Sequence, residues 1–153
     1  MTEVSAKPAE SRWRFKFTWT GLIVLLAIVG IVAAVAIPSY GDYAHRAQAS
    51  EAVSLLGGAK TPLAEFFADH RRWPDALEKV VGSTSGKYTR SVVISKGAGG
   101  SAEIELTATM KTEGVDRRVA GHSILMLSQD GGRNWICKPG TMPAKNLPAS
   151  CRN

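Results

Sequence analysis

The side chains with the greatest capacity for chemistry are two cysteines and three histidines. Cys137 and Cys151 are the two cysteines of this 153-residue chain. Such a pair forms a disulfide in an oxidising compartment or remains as two free thiols in a reducing one. With no histidine nearby, its spacing does not match a metal site. The compartment therefore decides between the disulfide and the free thiols.

The histidines, His45, His70 and His122, are far apart in the sequence. No motif ties any of them to a nucleophile, and no glycine-rich phosphate loop or catalytic carboxylate pair stands out. The sequence therefore predicts a protein that is not an enzyme and that holds no cofactor and no metal.

An apolar segment near the N-terminus dominates the chain. Residues 22–37 contain no charged or strongly polar side chain, and the uncharged stretch begins at residue 17. As a helix it would be about 31 Å long, close to the thickness of a bilayer's hydrocarbon core. A helix of a soluble domain would show a polar face, which this one lacks. We predict a transmembrane helix over residues 17–38, after a basic leader at residues 1–16.

The charges around this segment predict its orientation. Four basic residues precede it, against two acidic ones: Lys7, Arg12, Arg14 and Lys16, with Glu3 and Glu10. Positive residues stay on the cytoplasmic side, so residues from about 40 onward should lie outside. In this orientation His45, just after the apolar segment, faces lipid headgroups.

The same orientation places the two cysteines in an oxidising compartment, where they are expected to pair. Their disulfide would close a 15-residue loop, which stabilises the fold by about 3 kcal/mol.

A cleaved secretory signal peptide is the competing interpretation of the same segment. Such a peptide has a shorter apolar region followed by small residues at its cleavage site. Ala33, Ala34 and Ala36 are small, but they lie inside the apolar run and Ile37 and Pro38 follow directly. The sequence favours a retained helix.

The next stretch, residues 39–68, has the period of an amphipathic helix. Its apolar residues recur at intervals of four, three, four and three: Ala52, Leu56, Ala59, Leu63 and Phe66. This spacing places them on one face. We predict that Leu56, Leu63 and Phe66 pack this helix against a sheet. Gly57, Gly58 and Pro62 predict a bend or a local loosening.

Residues 69–153 are predicted to form a loop, an antiparallel sheet and a C-terminal loop. Four β-rich runs occupy residues 91–94, 102–110, 124–127 and 134–137. Glycines at 97, 99 and 100, and the Gln-Asp-Gly-Gly run at 129–132, are typical of turns between strands. A long helix followed by such a meander belongs to the α+β class.

The order of several short motifs resembles that of type IV pilins. The similarity covers residues 14–152 and is carried by Ala27–Tyr40, Asp42-Tyr43, Ala49–Ala52, Ala64–Asp69, Trp73-Pro74, Gly86–Tyr88 and Leu147–Arg152. This resemblance implies the pilin fold: a long N-terminal helix, a sheet of about four antiparallel strands and a disulfide-bonded C-terminal loop. It also implies that this loop is exposed, and that in some members it contributes to adhesion or subunit packing.

The resemblance assigns function to the first helix. Its membrane and assembly residues would be Phe17, Gly21, Leu22, Leu26, Gly30, Ala34, Ile37 and Pro38. A prepilin peptidase would remove the leader between Lys16 and Phe17, leaving an N-terminus of the methylated type. Lys16 stands where the family has glycine, and Gly21 where the family has glutamate. In the family that glutamate pairs, within the membrane, with the N-terminal amine of a neighbouring subunit.

The resemblance therefore implies a structural subunit of a type IV pilus. Its partners would be the inner membrane, other pilin subunits and the pilus assembly machinery, and the filament would support adhesion, motility or DNA uptake. Lys16 and Gly21 keep an alternative open, an unprocessed membrane-tethered accessory of that machinery. A secretion-system pseudopilin would be expected to have a calcium site or to lack the C-terminal disulfide, and the cysteine pair argues against it. The net charge of +6 permits DNA binding, although acidic residues are interleaved with the basic ones.

Overall fold

The computed structural model describes residues 18–152, with the backbone alone at residues 38, 39 and 42. The chain divides into two compact units, residues 1–38 and 39–153. Helix α1 spans Trp19–His70. Short 3₁₀ helices follow at Leu77–Lys79, Ala144–Asn146 and Ala149–Cys151. The proposed leader at 1–16 and residue Phe17 lie outside the described residues.

The second unit contains one antiparallel sheet of four strands. The strands are β1 (Thr89–Lys96), β2 (Ile104–Met110), β3 (Ser123–Ser128) and β4 (Ile136–Pro139), and each pairs with the next in the chain. The predicted α+β class, with a long helix before a four-stranded antiparallel sheet, is confirmed.

Strand β2 shows why the sheet has one buried face. Its apolar residues alternate with polar ones, and Ile104, Leu106, Ala108 and Met110 are all buried. Strand β1 does not alternate in this way, because its register against β2 shifts near each end. These irregularities leave Thr89 and Val92 buried although they are three residues apart.

Helix α1 covers that buried face with a stripe of apolar side chains. The stripe consists of Ala49, Ala52, Leu56, Ala59 and Leu63, none of which is exposed to solvent. The α-helix is unbroken through Gly57, Gly58 and Pro62. Burial of each large aliphatic side chain contributes about 1.5–3 kcal/mol, and this offsets the helix-disfavouring residues between them.

Strand β4 begins two residues later than the sequence predicts. Asn134 and Trp135 belong to the turn instead. The backbone N–H of Asn134 donates to the Asp130 carboxylate at 2.9 Å, and the indole N–H of Trp135 donates to the Gly132 carbonyl at 2.9 Å. The hydrogen bonds from the backbone and the side-chain amide of Asn134 also hold the pKa of Asp130 below its ordinary value. Gly132 has φ +86°, and a Cβ there would come within 2.9 Å of the Ala64 Cβ, so this turn requires glycine.

Candidate functional site

The first functional feature is the apolar segment of α1. Within residues 18–152, one segment, Trp19–Ile37, is long and apolar enough to cross a membrane. The large side chains of residues 23–26 point in four directions around the helix, and each is more than half exposed. Apolar surface on every side of a helix needs lipid or other apolar helices around it. The segment is therefore suited to membrane anchoring and to packing in a helix bundle.

The predicted membrane and assembly residues follow one another along this segment. The structure places six of them on α1, with Leu22 half-buried and the others exposed: Gly21, Leu22, Leu26, Gly30, Ala34 and Ile37. The side chain of Pro38 is not described. Lys16 and Phe17 lie outside residues 18–152, so cleavage between them stays a prediction.

The second functional feature is the packing that fixes α1 to the sheet. Leu56 and Leu63 are fully buried, whereas the third predicted residue, Phe66, is half-buried and stacks on the His70 ring at 4.2 Å. Phe67 is partly buried as well, and it packs against the core beside Trp73, with ring centroids 4.4 Å apart.

The conformation at the end of α1 explains why Phe67, and not Phe66, contacts Trp73. Arg71 adopts a left-handed conformation with φ 57°, and its N–H donates to the Phe67 carbonyl at 2.8 Å. The chain then turns back and brings the fully buried Trp73 under Phe67. The four-and-three spacing of apolar residues alone indicates residue 66 as the packing position. A tryptophan close after the end of a helix is the signal that could have indicated residue 67.

Glu51 joins the helix to the start of the sheet, a role that no sequence pattern indicates. Its Oε1 accepts the backbone N–H of Tyr88 at 2.9 Å and that of Thr89 at 3.0 Å. Burial raises the pKa of the Glu51 carboxyl, but these backbone hydrogen bonds together outweigh burial and hold the pKa below its ordinary value. Gly86 packs so closely that a Cβ there would overlap the carboxylate. Glu51 is thus an ionised brace between α1 and β1.

Replacing Glu51 with glutamine should destabilise the second unit by about 1–2 kcal/mol, because hydrogen bonds to a charged acceptor become neutral ones. The pKa of Glu51 is lower in the folded protein than its ordinary 4.5. Its charge therefore stabilises the fold above pH 4.5, and this contribution is lost as the pH falls through the folded-state pKa. Urea unfolding above and below pH 4.5 should show weaker acid destabilisation in E51Q than in the wild type.

The matched control is Glu65→Gln, because Glu65 is exposed on the same helix. It should change the stability by less than about 0.5 kcal/mol, as surface substitutions usually do. If E51Q loses stability on acidification as steeply as the wild type, Glu51 does not brace α1 against β1.

The interpretation of His45 as a residue that faces lipid headgroups is wrong. The imidazole is buried, with 2% of the residue exposed. Its Nδ1 lies 2.9 Å from the Gly41 carbonyl oxygen and 3.1 Å from Nη1 of Arg118. A protonated Nδ1 donates to the carbonyl, and an unprotonated one accepts from the guanidinium. The loop between β2 and β3, which carries Arg118, covers His45, and sequence order alone gives no sign of that contact.

The cysteine pair secures the end of the chain. Cys137 in β4 and Cys151 in the last 3₁₀ helix form a disulfide, with their Cα atoms 4.7 Å apart, so the predicted pairing is confirmed. The loop between them is less exposed than the resemblance implies. Met142 and Leu147 lie in the hydrophobic core, while Thr141 and Lys145 face solvent.

Comparison with known proteins agrees with this architecture. The family model for pilin, a bacterial filament protein, matches residues 45–152. A fimbrial protein, EcpC of Eikenella corrodens, is 41% identical, and the match covers 90% of each chain. The type IV major pilin protein PilE of Neisseria gonorrhoeae is 34% identical over 90% of this chain and 93% of its own. The type IV major fimbrial protein FimA of Dichelobacter nodosus is 36% identical over 82% of this chain and 86% of its own.

Proposed function

This chain belongs to the pilin family, and on that premise we propose how its two units serve a filament subunit. It is a structural pilin subunit, and family membership implies assembly with other pilin subunits into a pilus filament. In our proposal the apolar segment first anchors it in the inner membrane, with residues 39–153 in the periplasm. The pilus assembly machinery then transfers the subunit to a filament at the cell surface, where the same segment packs against other subunits.

The observation that carries this proposal is the exposure of apolar side chains on every side of Trp19–Ile37. Such a segment is stable in lipid and also in a bundle of similar helices, so one surface serves both states. Gly30 and Ala34 stand one turn apart, and a Cβ at Gly30 would meet no other atom within 4 Å. Small residues at this spacing let a neighbouring helix approach closely.

We further propose that a prepilin peptidase cuts between Lys16 and Phe17, so that the filament subunit begins at Phe17. A second candidate function is an unprocessed, membrane-tethered accessory of the pilus machinery. Lys16 and Gly21 favour that candidate, since they replace the family's glycine and glutamate at the positions that serve cleavage and subunit registration.

The roles we propose for the filament are adhesion, twitching motility or DNA uptake. For DNA uptake, the support from charge is limited. Lys96 Nζ lies 3.3 Å from the Glu105 carboxylate, and Arg118 Nε lies 3.7 Å from that of Asp116. Basic side chains paired in this way attract phosphate less strongly than isolated ones.

Intact-mass spectrometry of protein from membranes and from sheared surface filaments tests the assignment. A filament subunit should give a sheared species that lacks residues 1–16. Full-length protein confined to the membrane would contradict the proposal and identify the tethered accessory instead.

The variant Gly21→Glu extends this test. Restoring a carboxylate within the apolar segment should raise the yield of sheared filaments severalfold, because it can pair with the N-terminal amine of a neighbouring subunit. Gly21→Gln is the matched control, with a similar size and no charge. A Cβ at position 21 would lie 3.4 Å from the Thr18 hydroxyl, an ordinary contact, so either side chain fits. Equal yields from both variants would exclude a role for the charge.

A further inference from the structure

A cleft of about 350 Å³ lies between the end of α1 and the turn that joins β3 to β4. Its lining includes Phe67 and Arg71 on the helix side, and Asp130, Gly131 and Arg133 in the turn. The volume falls in the range of about 300–1,000 Å³ that is typical of small-molecule sites. Both sides of the cleft belong to the second unit, so one compact body forms the whole of it.

Two arginine side chains of the cleft have donors that no other side chain uses. Arg71 and Arg133 are exposed, and among the residues that the structure describes neither guanidinium forms an ion pair with a carboxylate. Arg133 donates from Nε to the Asp130 backbone carbonyl at 3.2 Å, which leaves its two terminal nitrogens for a ligand. The planar fork of a guanidinium matches the two oxygens of a carboxylate. The two arginines therefore favour a ligand that carries a carboxylate.

The backbone at Arg71 is a second, independent observation. Arg71 has φ 57°, and in the part of the chain that the structure describes it is the one residue other than glycine with a positive φ. Glycine is the usual residue at this position after a helix, because a side chain there is strained. Strained residues occur most often at functional sites, and here the side chain of the strained residue lines the cleft.

Asp130 restricts which carboxylate ligands fit. Its Oδ1 accepts hydrogen bonds from the Ser128 hydroxyl at 3.0 Å and the Asn134 backbone N–H at 2.9 Å, and its Oδ2 accepts from the Asn134 side-chain amide. A carboxylate has about four lone-pair positions, so Oδ2 can accept one more donor. The charge of Asp130 repels a simple anion. A ligand with a hydroxyl group beside its own carboxylate can instead donate to Asp130.

We propose that this cleft binds an acidic sugar, whose carboxylate meets Arg71 and Arg133 and whose hydroxyl group donates to Asp130. A uronic acid carries a carboxylate and several hydroxyl groups on one ring, which complements two cations beside one acceptor. An acidic peptide side chain offers the carboxylate without the hydroxyl groups, so Asp130 disfavours it. The binding chemistry involves residues 39–153 alone, whereas a contribution to adhesion rests on the filament function proposed above.

The test uses full-length protein in detergent micelles and follows the backbone amide signals of Gly131 and Gly132 by NMR. The ligand is methyl glucuronide. Two reference compounds each lack one of its features: methyl glucoside has no carboxylate, and acetate has no hydroxyl group. We expect methyl glucuronide to shift both signals and to bind about tenfold more tightly than either reference compound, since a charge-assisted hydrogen bond contributes about that factor.

The test variant is Arg71→Gly, which removes one guanidinium and relieves the strained backbone. R71G should be at least as stable to urea as the wild type and should bind methyl glucuronide about tenfold more weakly. The matched control is Arg72→Gly, because Arg72 lies 3.7 Å from the Asp75 carboxylate and does not line the cleft. It should leave the affinity within about twofold of the wild type. Arg133→Gln tests the other side of the cleft and should weaken binding as R71G does.

Each other outcome overturns part or all of the proposal. Equal affinity for methyl glucuronide and methyl glucoside would exclude carboxylate recognition by the arginines. Equal affinity for acetate would exclude recognition of a hydroxyl group by Asp130, and tighter binding of a glutamate-rich peptide would assign the cleft to an acidic protein segment. Equal weakening by R71G and R72G would show diffuse attraction to positive charge. Unshifted Gly131 and Gly132 signals in the wild type would reject the cleft as a binding site. None of these outcomes depends on filament assembly, so they are distinguishable from a failure of the proposed function.

Discussion

Replacing Leu63 with alanine is expected to lower the free energy of unfolding of the second unit by about 3–5 kcal/mol. Leu63 is fully buried in the stripe that α1 lays across the sheet. Its truncation removes apolar contacts and leaves a cavity between rigid elements, which cannot fully close around it. Urea unfolding of the full-length protein in detergent, followed by near-ultraviolet circular dichroism, measures the loss.

The matched control is Leu26→Ala, the same chemical change in the apolar segment. Leu26 is 61% exposed, so its truncation should leave the unfolding of residues 39–153 unchanged within about 0.5 kcal/mol. A loss below about 1 kcal/mol in L63A would contradict the packing of α1 on the sheet.

Replacing both cysteines with serine is expected to destabilise the same unit by about 3 kcal/mol. The disulfide joins β4, an edge strand of four residues, to the last 3₁₀ helix, and it limits the freedom of the unfolded chain across a 15-residue loop. Because the disulfide holds the edge strand β4 in place, it also limits pairing of that strand with other chains. Urea unfolding of the wild type and of the double variant C137S/C151S measures the difference.

A reductant supplies the control for that pair. It should lower the stability of the wild type to that of the double variant and leave the double variant unchanged, since one bond accounts for both effects. A double variant as stable as the oxidised wild type would show that the core contacts of Met142 and Leu147 hold the C-terminal loop without the bond.

Periodic and compositional features of the sequence predict most of this fold, because they reflect local geometry. The alternation in β2 and the spacing of Leu56 and Leu63 both follow from which side of an element faces the core. The disulfide follows from the compartment that the charges around the apolar segment indicate. These inferences require no knowledge of how distant parts of the chain meet.

The details that the sequence does not predict depend on contacts between distant residues. The Glu51 brace acts on backbone groups more than 35 positions away, and the His45 contact with Arg118 spans 73. Their residue types are ordinary for exposed positions, so neither pattern nor composition marks them. The late start of β4 likewise depends on a side chain, that of Asp130, which holds Asn134 within the turn.

The order of the strands in the sheet is the same as their order in the chain, β1-β2-β3-β4. In the orientation proposed above, the apolar segment of α1 enters the membrane first, and the strands then reach the far side in chain order. Each strand after β1 then pairs with a strand that is already on the far side, so the sheet can grow in chain order during export. The disulfide joins Cys137 to Cys151, so it can form only after all four strands have been exported. If the proposed orientation holds, export and folding of residues 39–153 therefore proceed in the same direction, from β1 to the disulfide.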